Sequence, residues 1–125
     1  MRFFAITALF GAAALAAETA TVTDLSIRDN NGIQSASFKV AGVECSSIDA
    51  AVFTNNEAVV CGESAYRFRL QGSNSKYDLT LYKQTGTAVG ITGTTTVQPY
   101  CHAGGNGQND FVCTQVGDIT VNLSS

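Results

Sequence analysis

Tyr66-Arg67-Phe68-Arg69-Leu70-Gln71-Gly72-Ser73-Asn74-Ser75-Lys76-Tyr77-Asp78-Leu79-Thr80-Leu81-Tyr82 is the stretch on which the fold turns. On either side of Gly72-Ser73-Asn74-Ser75, apolar and polar residues alternate. Tyr66, Phe68 and Leu70 interleave with Arg67, Arg69 and Gln71, and Tyr77, Leu79 and Leu81 interleave with Asp78, Thr80 and Tyr82. Side chains of a strand switch faces with period two, so each run gives a ribbon with one apolar face. The intervening Gly, Ser and Asn suit a turn, and the pair predicts an antiparallel hairpin.

The same pattern recurs in both directions along the chain. Ala36, Phe38 and Val40 alternate with Ser35, Ser37 and Lys39, and Ile119, Val121 and Leu123 alternate with Thr120, Asn122 and Ser124. Asp29-Asn30-Asn31-Gly32 separates Val22–Arg28 from Ile33–Val40, and Thr85-Gly86-Thr87 marks a further turn. Thr92-Gly93-Thr94-Thr95-Thr96-Val97 is β-branched, which is awkward in a helix and comfortable in a strand, and its polar positions suit an edge or a solvent-facing sheet. Helix signals are weak throughout. Six to eight strands at this spacing predict an all-β, single-domain antiparallel barrel or sandwich. Its expected interior is Leu25, Ile27, Phe38, Val40, Tyr66, Phe68, Leu70, Leu79, Leu81, Val89, Ile91, Val97, Phe111, Ile119 and Val121.

Composition narrows the class further. The 125 residues are 45% apolar and 14% charged, which argues against both a disordered chain and a coiled coil. A net charge of -3 argues against general nucleic-acid binding, which needs a basic surface. A single His excludes mechanisms that need two imidazoles.

Residues 1–17 read as a signal peptide. Arg2 precedes an unbroken apolar run, and Ala14-Leu15-Ala16 fits the small-x-small cleavage rule, placing the cut after Ala16 or Ala17. The run is shorter than the roughly 20 residues that span a bilayer. The expectation is an exported, extracellular domain over residues 18–125 with no membrane span. In an exported chain, four Cys read as disulfides. Cys45, Cys61, Cys101 and Cys113 allow three pairings. The sequential one would close two short loops, each worth about 3 kcal/mol in the chain-entropy description. Their spacing and the single His do not suit zinc.

The candidates for chemistry are thin. His102 could serve as a base with Glu44, Glu57 or Glu63 and Arg67 or Arg69, but nothing in the sequence places an acid beside it, and a loop residue next to a disulfide is the plainer reading. No Gly-x-Ser-x-Gly elbow is present; the residues around Ser64 are Gly62-Glu63-Ser64-Ala65. Asp24, Asp29, Asp78 and Asp110 could hold calcium only if loops brought them together; solvated turn residues are the expectation. Gly104-Gly105-Asn106-Gly107 lacks the Lys-Ser/Thr of a phosphate loop and reads as a tight turn between Cys101 and Cys113. Asn122-Leu123-Ser124 is a glycosylation sequon on a strand close to the end of the sequence, a poor acceptor. No catalytic residue, cofactor or metal is expected.

Pro99-Tyr100-Cys101-His102-Ala103-Gly104-Gly105-Asn106-Gly107-Gln108-Asn109-Asp110-Phe111-Val112-Cys113 closely resembles the signature Tyr-Cys-x-Ala-Gly-Gly-Asn-Gly-x-x-Asp-Phe-Val-Cys of the Alternaria major-allergen (Alt a 1-like) family, which includes fungal hypersensitive-response-inducing elicitors. Cys61-Gly62-Glu63-Ser64, preceded by Cys45-Ser46, is a second match, and the likeness runs from about Ile33 to Leu123. The resemblance implies a β-barrel or sandwich with Cys45–Cys61 and Cys101–Cys113 paired. It implies a secreted fungal protein acting as effector, elicitor or allergen without catalysis. It also implies binding of thaumatin-like plant defence proteins or, as an alternative, carriage of a phenolic molecule, for which Tyr66, Tyr77, Tyr82 and Tyr100 are the aromatics to follow. A weak hydrolase built on His102 is the remaining alternative. The segment before Ile33 is shorter than in the allergen and lacks its additional N-terminal Cys, so no inter-chain disulfide is expected.

Overall fold

A computed structural model describes residues 17–73 and 75–125. The leader expected over residues 1–17 lies outside the described residues except for Ala17. Ten strands and one short helix are present among those described: β1 (Ala17–Asn30), β2 (Ile33–Val40), β3 (Val43–Ser47), α1 (Ala50–Thr54), β4 (Val59–Val60), β5 (Tyr66–Ser73), β6 (Lys76–Gly86), β7 (Val89–Val97), β8 (Tyr100–Ala103), β9 (Asp110–Thr114) and β10 (Ile119–Ser124). All pairings are antiparallel. The main path runs β3-β2-β1-β10-β7-β6-β5-β4, and β9 joins β1 on one side and β8 on the other.

The ends of this path, β3 and β4, are brought side by side. Cys45 on β3 is bonded to Cys61, the residue after β4, and both are fully buried. The sheet thus curls into a nearly closed barrel whose seam is crossed by a covalent link in place of a complete ladder. Phe38 of β2 meets Phe68 of β5 edge-on across the interior, with ring centroids 5.0 Å apart. Phe53 of α1 packs against Phe68 from the seam side. The helix itself was not expected. Its signal is the N-cap Asp49, whose carboxylate accepts a hydrogen bond from Ala51 N at 3.0 Å, ahead of Ala50-Ala51. Five residues carry too little periodicity to stand out from the surrounding strands.

The β5–β6 hairpin forms as the alternation requires. Leu70 faces Leu79 and Phe68 faces Leu81, while Arg67 faces Tyr82 and Arg69 faces Thr80. The β1–β2 turn is made by Asn31 and Gly32, both at positive φ, as Asn-Gly sequences favour. Most of the expected interior is buried, with three corrections. Val89 is 58% exposed because it sits at the tip of the β6–β7 hairpin, Phe111 is 39% exposed on the outer side of β9, and Ile119 is only partly buried at the start of β10. Val22, Ile33, Tyr77 and Leu123 fill the core instead. In β7, Thr92, Thr94 and Thr96 point to solvent, whereas the partly buried Gly93 and Thr95 alternate with them. The strand lies inside the path, but its registered pairing with β10 is confined to Ser124 opposite Thr92. A Cβ on Gly93 would collide with the carbonyl oxygen of Asn122, so this close approach of two backbones requires glycine.

Strand β1 changes partner midway. Residues Ala17–Val22 pair with β10, and Ser26–Asn30 with β9. At the switch Asp24 takes φ 56° and the ladder to β2 shifts register. The Gln115 side chain occupies the gap. Its Oε1 accepts from Leu25 N at 3.1 Å, and its Nε2 donates to Val22 O at 2.9 Å and to Gly117 O at 2.8 Å. One primary amide thus stands in for the missing peptide of a neighbouring strand, as a buried N–H and C=O demand.

Candidate functional site

Cys101 and Cys113 lie directly opposite each other on β8 and β9 and are bonded, so all four Cys are in intrachain bridges and no thiol is left to join two chains. The loop this bridge closes carries Gly104-Gly105-Asn106-Gly107, with Gly105 and Gly107 at positive φ. Its anchor is Asp110, 1% exposed. Arg28 grips that carboxylate with Nε to Oδ1 at 2.9 Å and Nη2 to Oδ2 at 2.8 Å, and Asn106 N donates to Oδ2 at 2.9 Å. The Arg28 hydrogen bond, with help from Asn106 N, holds the carboxyl below its ordinary range against the opposing effect of burial. A Cβ on Gly104 would strike this carboxylate, which gives the first glycine of the motif its reason.

Asp29 is the second buried acid. Its Oδ2 accepts from the Tyr77 hydroxyl at 2.6 Å and its Oδ1 from Gly32 N at 3.0 Å. Burial first, then this hydrogen bond, pushes the Tyr77 phenol well above its usual range. The Tyr77 Oη also lies 3.9 Å from Cys113 Sγ. The pair borders a cleft of about 440 Å³ with Asn31, Gly32, Cys101 and Phe111.

The residues considered for chemistry do not assemble. His102 is exposed on β8 and stacks on Tyr100, with centroids 6.1 Å apart; its side chain makes no hydrogen bond to a carboxylate among the described residues. Ser64 is a turn residue, its hydroxyl donating to Cys61 O at 2.6 Å and accepting from Tyr66 N at 3.1 Å. Glu57 accepts from Asn55. The four candidate calcium acids are dispersed: Asp24 lies near Lys39, Asp78 accepts from Thr96, and Asp29 and Asp110 are committed as above. No group of three or more potential metal ligands occurs among the described residues. Of the tyrosines, Tyr66 and Tyr77 are buried, Tyr100 is exposed beside His102, and Tyr82 faces a different cleft, so the four do not surround one ligand. Asn122 is exposed on β10 opposite Thr19, whose hydroxyl donates to its side-chain oxygen at 3.4 Å.

The clefts lie on the outer surface and at the ends of the barrel, whose interior is filled by Tyr77, Phe38, Phe68 and aliphatic side chains. Among the described residues no helix is long and apolar enough to cross a membrane. The fold and its anchored loops define a small β-barrel domain, covalently bridged at the seam and at the β8–β9 loop, that presents outer sheet faces and rigid loops.

The family model described as Alternaria alternata allergen 1 matches residues 22–113, and the chain belongs to that family. It is similar to the effector protein PevD1 of Verticillium dahliae, 33% identical over an alignment of 145 residues covering 97% of this chain and 91% of the relative. It also matches the major allergen Alt a 1 of Alternaria alternata, 33% identical over 63 residues, half of this chain and 40% of the allergen. Crystal structures of Alt a 1 align over 84% of the chain with TM-scores of 0.67 and 0.68 at 26% and 28% identity. These relatives are named as effectors and allergens, not as enzymes.

Proposed function

We propose that this protein is an exported fungal effector or elicitor that acts on a plant host by binding, without turning over a substrate. The observation that carries the reading is the match, over nearly the whole chain, to a protein named as an effector. The geometry supplies a physical basis. The Cys101–Cys113 bridge and the Arg28–Asp110 pair fix the loop of residues 104–109 before any partner arrives, which lowers the ordering cost of recognition. The solitary His102 is exposed and stacked on Tyr100, with no carboxylate hydrogen-bonded to it among the described residues, so it lacks the acid partner that a catalytic base would need.

Export rests on the leader of residues 1–17, and thaumatin-like defence proteins are the first partners to try on the family resemblance. The test is direct titration of a purified thaumatin-like protein against the purified effector by calorimetry, with a second series on reduced and alkylated protein. Saturable binding that is lost on reduction supports the reading. Absence of heat for that partner, together with no leaf defence response to the protein, overturns it.

A further inference from the structure

Strand β5 presents Arg67 and Arg69, both exposed, from one face, while Tyr66, Phe68 and Leu70 turn inward. Tyr82 of β6 lies opposite Arg67, Thr92 of β7 lies opposite Tyr82, and Val60 of β4 lies opposite Arg67 on its other side. One continuous row, Val60–Arg67–Tyr82–Thr92, therefore crosses four strands. In the adjoining row, Gln84 is flanked by Ala65 and Gly90, whose small size leaves a hollow. The result is an open cleft of about 570 Å³. The Arg69 guanidinium carbon lies 5.6 Å from the Tyr82 ring centroid.

The charge at this cleft is unbalanced. Arg28, Lys39 and Lys83 each have an acidic partner, but neither Arg67 nor Arg69 forms an ion pair among the described residues. Two like charges at successive positions on one strand face repel, and they stand in a protein of net charge -3. The complement is a ligand carrying at least two negatively charged groups.

We infer that this cleft is a binding site for a carboxylate-bearing oligosaccharide, a short chain of uronic acid residues. Guanidinium forks read planar carboxylates in two-pronged fashion. The two arginines stand about 7 Å apart along the strand, within the reach of two long flexible arms to acids on one chain. The Tyr82 ring offers a flat surface for the apolar face of a pyranose. Gln84 uses its Nε2 on Gly86 O and Thr92 donates to Leu81 O, so Gln84 Oε1 and Thr92 Oγ1 remain to accept from sugar hydroxyls. The cleft is open, which suits a chain passing through it more than an enclosed small molecule. An acidic peptide fits less well. The cleft lies on the face of β5, β6 and β7, whereas strand N–H and C=O groups point within the plane of the sheet, so a peptide seated over the two arginines gains no ladder of the kind strand addition provides. The site adds a ligand to the effector reading and stands without it.

The test is a titration of isotopically labelled protein with a galacturonic acid hexamer, followed by amide chemical shifts. A neutral galactose hexamer and hexaglutamate run alongside. The expected result is saturable binding of the acidic sugar, with shifts centred on Arg67, Arg69, Tyr82 and Thr92, weakening as salt rises. Arg67→Gln with Arg69→Gln weakens binding at least about tenfold with the spectrum otherwise unchanged, while Lys76→Gln, on the β5–β6 hairpin, leaves it intact. Unperturbed spectra with the uronate hexamer, equal binding of the neutral sugar, tighter binding of hexaglutamate, or an unaffected double variant would each overturn the assignment. A leaf response that survives the double variant leaves the effector reading in place, so the two fail separately.

Discussion

Arg28 and Asp110 face each other diagonally across β1 and β9 and share two hydrogen bonds, at 2.9 and 2.8 Å, around a carboxylate that is 1% exposed. The pair ties the loop closed by Cys101–Cys113 to the long first strand. Replacing Asp110 by Asn leaves the guanidinium without its counter-charge and weakens the hold on Asn106. We expect a fall in Tm on the order of 5–10 °C, with faster amide exchange across residues 104–109, measured by calorimetry and hydrogen exchange.

The same carboxyl sets an acid limit. Its folded value is lowered, chiefly by Arg28, so its contribution is complete above the ordinary value of 3.8 and is lost as pH falls through the folded value. Urea midpoints measured between pH 5 and pH 2 should fall steeply in the wild type below about pH 4 and less steeply in Asp110→Asn. Parallel acid limbs in the two proteins would show that this pair contributes nothing.

Tyr77 gives the alkaline counterpart. Its folded value is raised, so the stability it lends is complete below the ordinary value of 10.0 and lost as pH rises above it. Absorbance titration of the phenolates should show one of the four tyrosines ionising only when the protein unfolds. Tyr77→Phe removes that delayed step and, by leaving Asp29 short of a buried hydrogen bond, costs about 1–2 kcal/mol.

Gln115→Ala tests the side chain that bridges the break in β1. Leu25 N and Val22 O both lose their partner, for a cost of about 1–3 kcal/mol. The Leu25 amide should exchange far faster in the variant, with the β5–β6 amides unaffected.

The seam bridge is tested by Cys45→Ser with Cys61→Ser. Loss of a link across a loop of 16 residues should cost about 3 kcal/mol in urea denaturation. Because β3 and β4 have no other covalent tie, protection should drop first in β3 and α1.

Much of this architecture was legible in the sequence, and the reason is geometric. A strand half-buried in a barrel writes its two faces as alternation, so β2, β5, β6 and β10 announce themselves, and Asn31-Gly32 marks a turn by its tolerance of positive φ. Val89 and Phe111 deceived because an apolar residue at a hairpin tip or on an outer strand face looks the same in one dimension as a core residue. The buried polar contacts were hidden for a different reason. Asp29 reads as the start of a turn and Asp110 as a motif residue, and only the three-dimensional fold brings Tyr77 to one and Arg28 to the other. Gln115 carries no signal beyond lying two residues after Cys113. Arg67 and Arg69 were visible as outward strand positions, but their meeting with Tyr82 depends on hairpin register.

If the bridged barrel acts on a plant by recognition and not by catalysis, as proposed, its activity needs the oxidised fold and does not need the imidazole of His102. A dose series of purified protein infiltrated into leaf tissue, with the oxidative burst measured for wild type, His102→Ala, and reduced and alkylated protein, separates the two. Matching curves for wild type and His102→Ala, and no response to the reduced material, are expected. Silence from the wild type, or loss of the response in a correctly folded His102→Ala protein, would contradict the proposal.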